Sequence, residues 1–241
     1  MSKFISLPNL LVILVLLTFV SCSTTKSTVY IDELTQKPKK ESNNRLEEIT
    51  NLWVGHFSNK DFVEKSNNEM NVEQEIIGRR IWAENRIGEY WVYLGWFQTN
   101  YYESALSSNI SQIVRISPDT ALIVSYRIKD GIDIGKYEWI KDKPFHNLKR
   151  NDIEICGEGC GSYIVKSKDG AYDVITKTPC YSPISDQLKY YTLDAKMNKE
   201  GIIFDTKFLD DKFNTLVHYT DNAFLRFNKK ELEYKYKDIS L

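Results

Sequence analysis

The stretch EYWVYLGWFQ, Glu89 to Gln98, decides how the rest of the chain is read. Tyr90, Val92, Leu94 and Trp96 alternate with Trp91, Tyr93, Gly95 and Phe97. Successive side chains of a strand point to opposite faces, so each set occupies one face. A strand with one wet face shows a polar residue at every second position, and here neither set is polar. The stretch is therefore a central strand, with one face inside a barrel or under a helix.

The neighbouring segments repeat the period of two. VEQEIIGRRIWAEN precedes it across RIGE, a turn signal containing Gly88. SQIVRIS and TALIVSYRI follow, with Pro118 and Asp119 marking a hairpin turn that sets Val114 and Ile116 against Leu122 and Val124 or their neighbours. The segment KDGIDIGKYEWIKDKPFHNLKRND is mixed and reads as irregular, with room for a short helix. GSYIVKSK and AYDVITKT are joined by Asp169-Gly170, the strongest short hairpin signal. LKYYTLDAKM, GIIFDTKFL, TLVHYT, AFLRFNKK and LEYKYKD complete the series. Roughly ten antiparallel strands in direct succession form a meander, whose edges are best removed by closure into a barrel. A barrel of about ten strands leaves room for a ligand.

Ahead of the strands, NRLEEITNLWVGHF reads as a helix. Asn44 is placed to cap it with Glu47 three residues on, Leu46, Ile49, Leu52 and Trp53 share a face, and Gly55 stops it. KDFVEKSNN adds a short second helix.

The N-terminus has a different character. Lys3 is followed by an apolar run from Leu10 to Val20, interrupted only by Thr18, and then by Ser21-Cys22. This is the layout of an export signal, and the run is shorter than the about 20 apolar residues of a spanning helix. Phe19-Val20-Ser21-Cys22 resembles a bacterial lipobox. The resemblance implies cleavage before Cys22, acylation of its thiol and attachment to a membrane through lipid. Residues 1–21 are then a signal peptide, the polar residues 22–44 a flexible tether, and residues 45–241 the folded domain. The expected location is the bacterial cell envelope, facing the periplasm. The chain carries a net charge of −1, without the basic excess that nucleic-acid binding requires.

Side chains that carry chemistry are few. His56, His146 and His218 stand apart, with no second histidine at a metal-ligand spacing, so no metal site is expected. No GxSxG elbow or phosphate loop occurs. Asp210-Asp211 reads as a solvated turn, and Glu73 and Glu75 as the wet side of a strand. Of Arg79 and Arg80, only one can point inward. Strand alternation nominates Arg80, Trp82 and Tyr93 as lining residues for a ligand, since Trp and Tyr offer an apolar body with a polar handle. In ICGEGCGSY, Cys156 and Cys160 lie four positions apart, and Cys180 follows later. An exported chain permits a disulfide among these three; zinc lacks a fourth ligand, and a redox pair is more typically CxxC on a helix N-terminus.

Four segments resemble the CpcT/CpeT phycobiliprotein lyase family over most of the domain. They are LWVGHFSN (Leu52 to Asn59), YWVYLGWF, GCGSYIVKSKDGAYDVITKTPC and KYYTLDAKMNKEGI. The resemblance implies a calyx-like, lipocalin-like antiparallel barrel with an N-terminal helix, often dimeric. It implies an activity that attaches a linear tetrapyrrole bilin to a protein cysteine, the bilin being the only cofactor. It also pairs Cys160 with Cys180, leaving Cys156 as the odd thiol, free or competing for the same partner. Two family features are absent: Gly95 and Trp96 replace a Glu-Gln pair, and SNISQ (Ser108 to Gln112) replaces an arginine-rich run. The expected function is therefore binding of a hydrophobic or amphipathic small molecule by a lipid-anchored barrel. The alternatives are a bilin lyase and a structural or interaction lipoprotein whose barrel is filled.

Overall fold

The computed structural model describes residues 40–66, 72–84, 86–103, 105–133, 137–156, 161–182, 187–219 and 225–230. The segment expected to be a signal peptide, Cys22, most of the expected tether, Cys160 and the segment LEYKYKD lie outside the described residues. Helix α1 (Lys40–Trp53) leads into strand β1 (Gly55–Ser58), a short helix α2 (Lys60–Lys65), and strands β2 (Gln74–Ile81), β3 (Trp91–Gln98), β4 (Ser107–Arg115) and β5 (Thr120–Ile128). Then come β6 (Ile153–Ile155), β7 (Gly161–Lys166), β8 (Tyr172–Thr176), β9 (Cys180–Tyr181) and β10 (Tyr190–Asn198). The chain continues through β11 (Gly201–Leu209), β12 (Thr215–Tyr219) and β13 (Arg226–Lys230).

Ten strands close into an antiparallel barrel in the ring order β11-β13-β1-β2-β3-β4-β5-β7-β8-β10, with β10 pairing back to β11. The short strands β6, β9 and β12 extend the sheet beyond this ring. Val114 pairs with Leu122, as the Pro118-Asp119 turn predicts, while Val124 faces Gln112. Lys166 pairs with Tyr172 across the Asp169-Gly170 turn. Closure comes from β13, which inserts between β11 and β1 through Ile202↔Phe227 and Phe57↔Lys229.

Strand β3 is buried on both faces because two different structures cover it. Val92 and Trp96 point into the barrel and join a core drawn from all around the ring, including Phe57, Ile113, Ile164, Phe204 and Phe227. Trp91, Tyr93 and Phe97 point outward and form a second core with Trp139, Phe145 and Leu148. These last three belong to the connection between β5 and β6, which folds back over the outside of the wall. That connection is irregular, as the sequence predicts, with short 3-10 turns at Glu138–Ile140 and Arg150–Asp152. Glu138 fastens it: its buried carboxylate accepts the Phe145 N–H at 3.1 Å and lies 2.5 Å from Lys141 Nζ. Gly95 makes room for this outer core, since a Cβ there would lie 2.7 Å from the Tyr93 hydroxyl and 2.6 Å from the Phe97 ring.

Helix α1 closes one end of the barrel. Leu46, Ile49 and Trp53 recur at helical spacing and are all buried in the inner core. Each such buried side chain contributes about 1.5–3 kcal/mol. Polar contacts hold the rest of the helix to the barrel rim: Arg45 to Asp119 at 2.8 Å, Glu47 to Arg80, and Lys166 to Glu48 at 3.5 Å. Lys229 Nζ donates to the Asn51 carbonyl at 3.0 Å. Such surface pairs contribute about 0–1 kcal/mol each, so apolar burial dominates the docking. The helix begins at Lys40, inside the segment read as tether, and Asn44 is an exposed residue within it instead of its cap.

Where the helix runs into β1, the chain lies directly on β2. A Cβ at Gly78 would stand 1.8 Å from the Trp53 carbonyl oxygen. Backbone atoms cannot yield as a flexible side-chain end does, so Gly78→Ala must displace the helix end. This substitution is expected to lower unfolding stability by about 1–3 kcal/mol, as overpacking does. Urea denaturation checks this; an unchanged midpoint means that the helix does not seat there.

Candidate functional site: the open half of the barrel

Opposite the α1 plug, the barrel interior changes character. Near the helix it is filled by Ile49, Trp53, Phe57, Tyr172 and Phe227, all buried. Leu94, beside the end of the helix, and beyond it Asn109, Ile123, Ser125, Ser162 and Leu193 share the inward face, and each is partly exposed. An inward side chain is partly exposed only where solvent enters the barrel. The interior is thus a calyx, plugged by α1 below and accessible above.

The register of the strands builds this lining. Leu94 faces Gly78 and Asn109; Ser111 faces Ser125; Ile123 faces Ser162; Leu193 faces Thr206. Alternation then puts each of them inside with Val92 and Trp96. Trp96 Nε1 donates to Gln74 Oε1 at 2.7 Å, which fixes the indole as part of the wall. The Ser111 and Ser125 hydroxyls are 3.5 Å apart. Beyond the Val174↔Ala195 pair, side chains take over the role of the β8–β10 ladder. The Thr176 N–H donates to the Asp194 carboxylate at 2.7 Å, and the Leu193 N–H to Thr176 Oγ1 at 2.9 Å.

The inward polar atoms without a hydrogen-bond partner include Trp53 Nε1 in the plug and, on the strands beyond it, atoms of Thr206 and Asn109. Thr206 is only 4% exposed, and its hydroxyl is buried without a hydrogen-bond partner. Asn109 Oδ1 is likewise buried and unpartnered. β4 and β11 lie half a turn apart in the ten-strand ring, so the two atoms are on opposite walls. Tyr191, also inward, has its hydroxyl pushed up to about 12 by burial.

Charge is confined to the two ends. On the barrel strands, inward-phase cations near the plug are Arg80, Arg115, Lys166 and Lys229, and at the far rim Arg127 pairs with Glu154. Between these ends, no described inward position on the barrel strands carries a charge.

The residues nominated from alternation are not brought together. Arg80 is on the inner side, but at the plugged end, paired with Glu47 and 5.1 Å from the Tyr90 ring centroid. Trp82 lies past the end of β2, outside the barrel, and donates from Nε1 to the Phe145 carbonyl at 2.8 Å. Tyr93 is in the outer core, 4.7 Å from the Phe145 ring, where burial pushes its hydroxyl far above the ordinary range. Glu75, read as solvent-facing, is buried on the outer face, 2.9 Å from His56 Nε2 and accepting the Tyr102 hydroxyl. Glu73 keeps to the surface, 3.9 Å from Lys60. His218 sits 2.7 Å from Asp205 and His146 3.9 Å from Glu138, and no group of side chains suited to a metal ion occurs among the described residues. Asp210 is the turn residue expected, accepting the N–H groups of Lys212 and Asn214 at 2.8 Å. Cys156 and Cys180 are both bonded, and no free cysteine occurs among the described residues.

The true lining of the open half is neutral: serine, threonine, asparagine, leucine and isoleucine. Such residues on a strand resemble a wet outer face, and only the register separates the two. The signal available was the run SSNIS (Ser107 to Ser111), which alternates about Ser108 and Ile110 opposite the β3 stretch.

No protein-family model matches the chain, and no curated protein matches it. Solved structures do. The CRL protein of Arabidopsis aligns with a TM-score of 0.56 at 15% identity, over 78% of this chain and 99% of that one. The T-type phycobiliprotein lyase CpeT from Prochlorococcus phage P-HM1 aligns with a TM-score of 0.45 at 11% identity, over 77% and 97%. At 15% identity the likeness to the CRL protein is one of fold. The chain itself is a closed antiparallel barrel with an N-terminal helix, the lipocalin-like architecture that the CpcT/CpeT resemblance implies.

Proposed function

We propose that the chain is a lipid-anchored carrier whose calyx takes up a hydrophobic or amphipathic small molecule. The observation that carries this is the partial exposure of inward residues such as Leu94, Ile123 and Leu193 in a barrel otherwise packed tight. An apolar wall open to water at one end gains about 25 cal/mol for each Å² of apolar surface that a ligand covers. The Trp96 indole, clamped by Gln74, supplies a flat and rigid piece of that wall.

A bilin does not fit these residues. Its propionates need cations, and in the described interior the cations sit at the ends, where Arg80 and Arg127 are already paired with Glu47 and Glu154.

The neutral fluorescent probe N-phenyl-1-naphthylamine tests the carrier. Added to the full-length chain in amphipol, it should brighten and saturate at low micromolar concentration. Ser162→Trp, which fills the inward face opposite Ile123, should abolish the gain while leaving the far-UV circular dichroism unchanged. A probe that stays dark with the wild-type chain identifies the barrel as filled, without a cavity above about 300 Å³.

Anchoring through Cys22 supports the same role, since a tethered carrier exchanges cargo with the adjacent bilayer. Each buried acyl CH₂ contributes about 0.8 kcal/mol, so several chains hold the domain at the surface. Labelled palmitate fed to a bacterial host should appear in the protein and vanish in Cys22→Ala; equal labelling of both would remove the anchor from the account.

A further inference from the structure

We propose that the outer wall of the barrel carries a separate site, in which Arg86 and Arg150 receive a phosphate group beside the rings of Trp82 and Trp91. This site belongs to the outer core, not to the calyx, and does not depend on the carrier reading.

Two separate segments build it. Just past β2, Trp82 adopts φ 57°, a left-handed conformation uncommon for a large side chain. The Arg86 N–H donates to the Trp82 carbonyl at 2.9 Å, and this turn brings the Arg86 guanidinium to 3.7 Å from the centre of the Trp82 ring. Arg150 comes from the β5–β6 connection. It stands in the 3-10 turn Arg150–Asp152, which the Asp152 carboxylate holds by accepting the Lys149 N–H at 2.7 Å. The two guanidinium carbons lie 5.2 Å and 6.0 Å from the centroid of one ring, that of Trp91. Trp82 and Trp91 meet edge-on with centroids 5.0 Å apart, so the two buried indoles give both cations a common apolar support.

Charge is unbalanced there. Cations gathered at one ring repel each other unless anions accompany them. The Tyr172 ring shows the balanced case: Arg45 and Lys166 lie 6.0 Å and 5.4 Å from its centroid, and each has its own carboxylate, Asp119 and Glu48. The two arginines at Trp91 have only Glu89 between them. One Glu89 oxygen accepts the Trp91 indole N–H at 2.6 Å, and the other lies 3.9 Å from Arg150, beyond hydrogen-bond distance. Arg86 has no ion pair among the described residues, and neither guanidinium donates a hydrogen bond within them. Each offers five N–H donors in a planar fork. Burial is the main influence that lowers the Arg86 guanidinium below its ordinary value; Glu89 opposes it and the like charge of Arg150 adds to it. Two cations against one carboxylate leave one positive charge in excess. The site is open to solvent: the Arg150 and Glu89 side chains are 54% and 36% exposed, and Arg86 is partly exposed.

Guanidinium forks match oxyanions through paired N–H···O bonds. A carboxylate has two oxygens in one plane, and a single fork fills it. The oxygens of a phosphate point in tetrahedral directions, so it can present a different edge to each of two forks. A phosphodiester carries the one negative charge that the cluster lacks. A free phosphate ion and a lipid headgroup share this chemistry.

The five tryptophan indole N–H signals of the nitrogen-15-labelled full-length chain in dodecyl maltoside read out the site. Titration with inorganic phosphate, and separately with dihexanoylphosphatidylglycerol, should shift the Trp82 and Trp91 signals saturably. Inorganic phosphate should leave those of Trp53 and Trp96 in place, and sodium chloride at equal ionic strength should shift none of the four saturably. Tighter binding of the lipid identifies a headgroup as the source of the phosphate; tighter binding of the inorganic ion identifies a soluble one. Arg86→Gln and Arg150→Gln should each weaken binding at least fivefold, with melting temperatures measured in parallel. Arg150 is half exposed, so its variant decides the matter if Arg86→Gln does not fold. No saturable shift with either phosphate, or unchanged affinity in the folded variants, overturns the proposal.

Discussion

Burial of strand β3 on both faces is the constraint on which the rest of the structure depends. Val92 and Trp96 need an interior, and the ring of ten strands provides it. Trp91, Tyr93 and Phe97 need a cover, and the connection between β5 and β6 provides that. Without the cover, three large rings would form an apolar patch on the outside of the barrel, of the kind that drives association. Gly95 belongs to the same solution, because its missing side chain is the space that Tyr93 and Phe97 occupy.

A barrel with one wall sealed from outside can leave its other side open to a ligand. Helix α1 fills the lower interior with Leu46, Ile49 and Trp53, and its ion pairs use two of the inward cations of that end, Arg80 and Lys166. What remains above is a neutral calyx. Among the described residues of the barrel strands, inward positive charge sits at the plug and the rim, not on the lining between them.

Much of this architecture was legible in the sequence. Alternation with two apolar faces identified β3 as central, the Asp169-Gly170 turn located the β7–β8 hairpin, and the run of antiparallel strands pointed to closure. The site was less legible. Trp82 and Tyr93 are attractive lining residues by type, yet which face of β3 looks inward depends on where the β5–β6 connection folds, and that segment has no period. Glu75 looked wet because a carboxylate on a strand usually is, whereas here His56 and Tyr102 approach it from separate segments.

The central claim is that β3 divides the molecule into a calyx that meets ligand and an outer core that does not. Methyl NMR during titration with N-phenyl-1-naphthylamine tests it most directly. The account predicts shifts at the inward methyls of Leu94, Ile123 and Leu193, and none at Ile77, Ile81 and Ile110 in the outer core. Shifts confined to Ile77, Ile81 and Ile110 would put the ligand under the β5–β6 connection and contradict the account.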